Sequence, residues 1–421
     1  MAPNEHRAVL ATPEQLLVER RALEIVQTEV IAAAKFRTLK MFMADRNAQL
    51  LNQSKFMRIS VDEHYYHAAL MAASEQPRSP RITWTLNCAH DWAGQSVPGS
   101  RFGQDNTDNI YRIACIEENL RYKITGKFDA KQAADFSISA LPAQMGEDTL
   151  SPATAIITLD QIDSGSDGRF EIVLDSTPTD GRRNHLCITG AKFLMMRDSL
   201  ADWGAERPCA LLIERTDGPH EDDYTLETAS RRAAHLGSRI ADFFLDFVQH
   251  KMLEASPANV LPSPVSSAAR GGLVTQSATV GHYLLGEDEA LVITADRLGA
   301  RYVGMQIVNM WMQSYDPTAH TSSLNHAQAI PDSDGRYRWV ISGRDPGVHN
   351  WLDGSGTVIG TIVLRWQQLP PGAKLEGSVT SEVIKLNELH THLPKETVYL
   401  DATAREQQRR ERLNSYNQRL L

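Results

Sequence analysis

The chain predicts a mainly β protein with helical additions (α+β): two antiparallel β-sandwich-like domains, an N-terminal helical segment and one long inter-domain helix. Three observations carry this. Short apolar runs bounded by turn residues recur from about Arg81 to Arg215 and again beyond residue 273. Apolar residues at helical spacing open the chain and return once, from Leu226 to Leu253. A stretch rich in Pro, Ser, Ala and Gly, Ser256 to Gly272, separates two β-rich parts. At 421 residues the chain exceeds one ordinary core. The expected divisions are 1–78 (helical), 79–255 (first β domain ending in the long helix), 256–272 (linker), 273–400 (second β domain) and 401–421 (basic helical tail).

Thr12-Pro13-Glu14-Gln15 reads as a helix start, with Thr as N-cap and Pro at the first helical position. Leu16, Leu23, Val26, Val30, Leu39 and Met43 follow at helical spacing, and a second helix is expected from Asp62 to Ala73. Ile110 to Glu117 and Leu120 to Phe128 read as two strands joined at Glu118-Asn119. Ala155 to Leu159 and Phe170 to Leu174 flank Ser164 to Gly168, a turn-rich hairpin connection. His185 to Thr189 and Ala210 to Arg215 add strands.

After the linker, Tyr302 to Trp311 and Arg336 to Ser342 are strand candidates, with Tyr337, Trp339 and Ile341 on one face of the latter. In Thr357 to Trp366, Val358, Ile362, Leu364 and Trp366 share one face. Ile359, Val363 and Arg365 share the other, so this strand should be central and covered on both sides. No internal repeat is legible.

The net charge of -9 argues against a nucleic-acid partner, which needs a concentrated basic surface. The basic cluster Arg405, Arg409, Arg410, Arg412 and Arg419, broken by Glu406 and Glu411, reads as a solvated helix face. No run reaches the roughly 18 apolar residues of a membrane span, so no membrane partner is expected. The opening residues lack the apolar segment of a secretion signal, and the expected compartment is the cytoplasm. Cys88, Cys115, Cys187 and Cys209 are widely spaced and are expected as free thiols. A homo-oligomer stays open.

Three constellations could carry chemistry. In Asp105-Asn106-Thr107-Asp108, followed by Tyr111 and Arg112, two carboxylates sit three residues apart in a polar loop. They could serve as acid and base or hold a divalent metal; equally, Asp and Asn fasten turns through their side chains. No other cofactor is expected. Ser323, Asn325 and Gln328 form a run of hydroxyls and amides suited to an uncharged ligand or an oxyanion. Asp345-Pro346-Gly347-Val348-His349-Asn350-Trp351-Leu352-Asp353 places a tight turn before Trp351 and leads towards Arg365-Trp366. There His349 is an acid/base candidate and Arg365 needs a carboxylate or an anionic ligand, with Asp345, Asp353, Asp105 and Asp108 as candidates.

These blocks resemble a bacterial family catalogued as domain of unknown function twelve-fourteen. The likeness rests on Asp105 to Arg112 with Tyr122, Ile124 and Gly126, on Ser323 to Gln328, and on Asp345 to Asp353 with Arg365-Trp366. Trp203, Glu206-Arg207-Pro208 and Ile213-Glu214-Arg215 add a fourth segment. The resemblance implies two β-sandwich-like units and no particular reaction. Two functions follow as expectations. One is a cofactor-independent lyase, dehydratase or cyclase acting on a small hydrophobic or anionic metabolite. Its pocket would be walled by Trp311, Trp351 and Trp366, with Asp105, Asp108, Tyr111, Arg112, His349 and Asp353 as catalytic candidates and Arg365 as anion anchor. The other is a non-catalytic small-molecule or carbohydrate-binding sandwich protein using Ser323, Asn325, Gln328, Asn350 and the same tryptophans.

Overall fold

The computed structural model describes residues 9–420 apart from 51, 145–146, 148–151, 255 and 269–272. It opens with helices α1 (Pro13–Val26), α2 (Glu29–Ala44) and α3 (Ser54–Ser74). Thr12 caps α1, its Oγ1 accepting from the Gln15 amide at 3.1 Å. The apolar spacing expected to run through Val30 to Met43 is interrupted at Gln27-Thr28. The helix restarts in a new phase, so Ile31, Ala34, Thr38 and Phe42 turn inward while Val30 and Met43 turn to solvent.

Eleven strands follow: β1 (Thr83–Thr85), β2 (His90–Trp92), β3 (Gln95–Val97), β4 (Asn109–Cys115), β5 (Tyr122–Lys127), β6 (Asp135–Leu141), β7 (Ala155–Thr158), β8 (Arg169–Asp175), β9 (His185–Cys187), β10 (Phe193–Ser199) and β11 (Ala210–Arg215). Helix α4 (Leu226–Asp246) continues into a π-helical segment, Phe247–Leu253. The second β region holds β12 (Val265–Ser266), β13 (Gln276–Leu284), β14 (Glu289–Ala295), β15 (Tyr302–Val308), β16 (Ser323–Asn325), β17 (Tyr337–Ser342), β18 (Trp351–Asp353), β19 (Ile359–Gln367) and β20 (Val379–Lys385). Two helices close the chain, α5 (Leu389–His392) and α6 (Ala402–Asn417).

Each β region is a sandwich of a five-stranded and a four-stranded sheet. The orders are β1-β4-β10-β6-β7 with β11-β5-β8-β9, and β12-β13-β19-β15-β16 with β20-β14-β17-β18. Setting aside the β2-β3 hairpin, the two orders are the same strand for strand. Even the parallel pairs correspond, β8 with β9 and β17 with β18, among otherwise antiparallel pairs. The chain therefore repeats one topology twice, and the repeat lies in strand order and pairing, which no sequence pattern displays.

The topology corrects two expectations. β7 and β8 belong to different sheets, so the expected hairpin is not formed, and β4 and β5, joined as expected, also lie in different sheets. Each pair turns a corner from one sheet to the other, and Ala114 and Ile124 enter the same core from opposite sheets. The stretch expected as linker also contributes β12, paired to β13 through Val265 and Ala278. By contrast, β19 is central and wholly buried. Its Ile362, Leu364 and Trp366 enter the second core with Trp339 and Ile341.

Helices α1, α3 and α4 form a layer with a shared apolar core that includes Trp84, Ile110 and Ile113 of the first sandwich. Gly237 of α4 lets the helix lie close to Tyr65, since a Cβ there would meet the ring at 2.7 Å. Further along, Phe244, Val248 and Met252 pack with Met310, Met312 and Ile359 of the second sandwich. The long helix thus touches both domains. Among the described residues no helix is long and apolar enough to cross a membrane.

Candidate functional site

The two sandwiches meet where the loop Gln104 to Asp108 lies on the outer face of the second five-stranded sheet. Strand alternation sends Tyr302 and Gln306 of β15 and Arg365 of β19 to that face. Gly304 leaves room for the Tyr302 phenol, because a Cβ at Gly304 would stand 2.0 Å from the phenol oxygen. Arg365 Nη2 donates to the Gln104 carbonyl at 2.6 Å. Gln306 Nε2 donates to the Asp105 carbonyl at 2.6 Å, and its Oε1 accepts from the Thr107 amide at 3.3 Å.

The two carboxylates of this loop take separate donors. Asp105 accepts from the Ser314 amide at 3.0 Å and the Ser314 hydroxyl at 2.6 Å. Burial raises its pKa to about 6, against the pull of those bonds and of Arg101. Asp108 accepts from Trp203 Nε1 at 2.8 Å, Tyr302 Oη at 2.5 Å and Asn325 Nδ2 at 3.0 Å. Burial raises its pKa too, opposed by Tyr302, Arg412, Asn325 and Trp203.

The tail completes the junction. Arg412 of α6 donates to the Ser323 hydroxyl at 2.6 Å, to Gln328 Oε1 at 3.3 Å and to the Pro317 carbonyl at 3.3 Å. Its guanidinium lies 4.1 Å from the Trp203 ring centre, and that of Arg419 lies 5.0 Å from it. Burial lowers the Arg412 pKa to about 10, with Asp108 opposing, so Arg412 stays charged at neutral pH. Beside these groups opens a cleft of about 260 Å³. Its walls include Asp202, Trp203, Gln328, His349, Glu411 and Arg412.

Of the sequence-derived candidates, Asp105, Asp108, Ser323, Asn325, Gln328 and Arg365 gather at this junction, and His349 and Gln328 line the cleft. Tyr111 touches its edge, with Oη accepting from the Asn106 amide at 3.2 Å. Arg112 lies elsewhere, buried within the first sandwich with Asp198 at 2.5 Å and the Cys209 carbonyl at 2.6 Å. Asp353 pairs with His320 at 2.8 Å and stands outside the cleft lining. Asn350 acts as a backbone fastener, bonded to both backbone groups of Ile330 and to the Arg338 carbonyl.

The tryptophan-walled pocket is not formed. Trp311 stacks on Phe42 at 4.7 Å and donates to the Gln53 carbonyl. Trp366 is buried in the second core and donates to the Asp296 carbonyl. Trp351 donates to the Ser342 carbonyl, with Arg405 over its ring. Each large ring fills a different packing space, where its apolar area is worth most. Arg365 takes a backbone carbonyl in place of the expected carboxylate, and Asp345 pairs with Arg405 instead. Among the described residues no group of three or more His, Cys, Asp and Glu is placed to hold a metal ion.

The solvated-face reading of the tail is overturned as well. Arg405, Arg412 and Arg419 are buried, while Arg409 and Arg410 are exposed. The buried three recur every seven residues, two turns of helix, which is the signal that could have found Arg412. Trp203 carried a signal too, in its place beside Glu206-Arg207-Pro208. Tyr302 carried none beyond opening a strand.

The chain is a double β-sandwich with a helical layer and a polar cleft at the junction. No family model matches the chain, and no curated protein matches it. Among solved structures, the chain is similar to an uncharacterised protein from Burkholderia cenocepacia, with 22% identity, a TM-score of 0.70, and coverage of 87% of this chain and 99% of that one. A Vibrio parahaemolyticus protein matches with 11% identity and a TM-score of 0.43 over 78% of this chain and 97% of its own. The Burkholderia structure supports the fold alone.

Proposed function

We propose that the chain binds one small anionic metabolite in the cleft beneath α6, without converting it. The observation that carries this reading is the 260 Å³ cleft with Arg412 among its lining residues. That volume is slightly below the usual ~300–1,000 Å³ of small-molecule sites, which suits a metabolite and not a polymer. Two buried guanidiniums, Arg412 and Arg419, share one buried carboxylate, Asp108. An anionic group entering beside Arg412 would offset the remaining positive charge. Asp105 and Asp108 are occupied by protein donors, which argues against their acting as acid or base on a ligand. Membership of the twelve-fourteen family remains part of this proposal, on the motifs named above.

One observation favours the enzymatic reading as the alternative. His349 stands in the cleft wall, and burial lowers its pKa, opposed by its hydrogen bond with Asn350. A lyase, dehydratase or cyclase here would depend on His349.

The test is untargeted mass spectrometry of a metabolite extract incubated with the wild type, Ala327→Trp and His349→Ala. Ala327 is exposed and lines the cleft, so the indole should fill the site without disturbing the core. Binding predicts that one anionic compound stays with the wild type, unchanged, and leaves Ala327→Trp. A product formed by the wild type and not by His349→Ala would transfer the conclusion to catalysis. Retention by Ala327→Trp equal to wild type would remove the cleft from either reading.

A further inference from the structure

The outward face of α2 and the start of α3 carries the two most exposed large apolar side chains among the described residues, Met43 (60%) and Phe36 (58%). Val30, Ala33, Phe36, Lys40 and Met43 recur at three- and four-residue steps, so they form one stripe along α2. Lys35 of α2 pairs with Asp62 of α3, which joins the two helices at the surface, and the exposed Ile59 lies one turn before Asp62.

Charge along this segment is opposite to that of the whole chain. From Glu29 to Asp62 there are six basic and three acidic residues, a net of +3 in a chain of -9. Arg37, Lys40 and Arg58 are exposed, and none forms an ion pair among the described residues. The Lys40 ammonium lies over the Phe36 ring at 4.5 Å, so its stem runs along the apolar surface with its charge at the rim. The exposed Lys55 donates to the Ser355 carbonyl, adding a fourth cation to the same helix edge.

We propose that this face docks on an anionic phospholipid surface, with Phe36 and Met43 entering the headgroup boundary and Arg37, Lys40 and Arg58 meeting phosphates. Apolar side chains flanked by cations on a convex helix surface fit a bilayer, which supplies apolar depth and a plane of negative charge together. A second copy fits less well. A two-fold contact would bring Arg37 and Lys40 of one chain against their own counterparts, and Asp62 is already taken by Lys35. This is peripheral docking by exposed side chains and involves no membrane-spanning helix.

The test is flotation of the full chain with vesicles of phosphatidylcholine alone or mixed with phosphatidylglycerol. Binding is expected to the mixed vesicles only, and to fall as salt is added. Phe36→Ser with Met43→Ser, and Arg37→Glu with Lys40→Glu, should each lower the bound fraction at least about tenfold. Leu284→Ser, at an exposed apolar site on the second sandwich, should leave it unchanged. All five positions are exposed, and matching thermal melts would exclude unfolding as the cause. Absence of flotation, or equal flotation of the α2 variants and wild type, overturns the proposal. So does a sedimenting dimer that Phe36→Ser with Met43→Ser dissociates, because the face would then belong to a second copy.

Discussion

The two five-stranded sheets share one strand order and differ in what covers their outer faces. On the first, Ile113 and Met195 meet the apolar core of the helical layer. On the second, Tyr302, Gln306 and Arg365 receive a polar loop through hydrogen bonds. Both inner faces close a sandwich core and are mainly apolar, the first also enclosing the Arg112–Asp198 pair. A duplicated topology therefore fixes the cores, and the outward residues of alternate positions decide what docks next. Apolar docking tolerates small shifts, whereas a hydrogen-bonded cover needs its donors and acceptors matched.

The largest test of this contrast removes one carboxylate from each region. Asp108→Ala takes away the acceptor shared by Trp203, Tyr302 and Asn325 and leaves two buried guanidiniums without their carboxylate. It should cost about 3–5 kcal/mol and separate the unfolding of the two sandwiches in calorimetry. Asp198→Ala, which strands Arg112 inside the first sandwich, should cost a similar amount and leave the junction intact. If both variants unfold with the same pattern of transitions, the loop is not what couples the sandwiches.

Much of the fold was legible before the junction was. β17 announces itself through period-two patterning, β19 through apolar residues on both faces, and α4 through one long stripe. The polar loop stood out in the sequence through its two carboxylates three residues apart. Its role could not be read, since Asp105 and Asp108 find partners some two hundred residues away. The tryptophans misled for a related reason. A large ring signals burial, and sequence alone does not say whether the burial is in a pocket or in a core. Short edge strands such as β1, β16 and β18 left no pattern, because three residues cannot display a period.

Acid should act on the two covers with opposite sign. His64 is buried in the helical layer, between the Phe42 and Phe102 rings, and burial lowers its pKa to about 4. The unfolded chain takes up this proton first, so the stability His64 contributes is present above pH 6.5 and lost as pH falls through 4. Asp105 is raised, so its contribution is present below its unfolded pKa of 3.8 and lost as pH rises through about 6. Each effect is on the order of 3 kcal/mol. Melting midpoints across this range should show His64→Leu less sensitive to acid than wild type and Asp105→Asn more so. Parallel shifts in the two variants would contradict the assignment.

The smallest effect isolates what the junction does not depend on. Arg301 and Asp160 also bridge the sandwiches, at 2.9 Å, but both side chains stand largely in solvent. Water already solvates each charge, and holding two long side chains in register costs entropy that nearly cancels the Coulomb gain. Arg301→Ala should therefore change stability by no more than about 0.5 kcal/mol, with a difference that shrinks further in salt. Arg112 and Asp198 form a comparable ion pair, but theirs is buried and this one is exposed. A cost for Arg301→Ala near that of Asp108→Ala would mean that exposed charge holds the sandwiches together, and the polar loop would lose its place as the fastener.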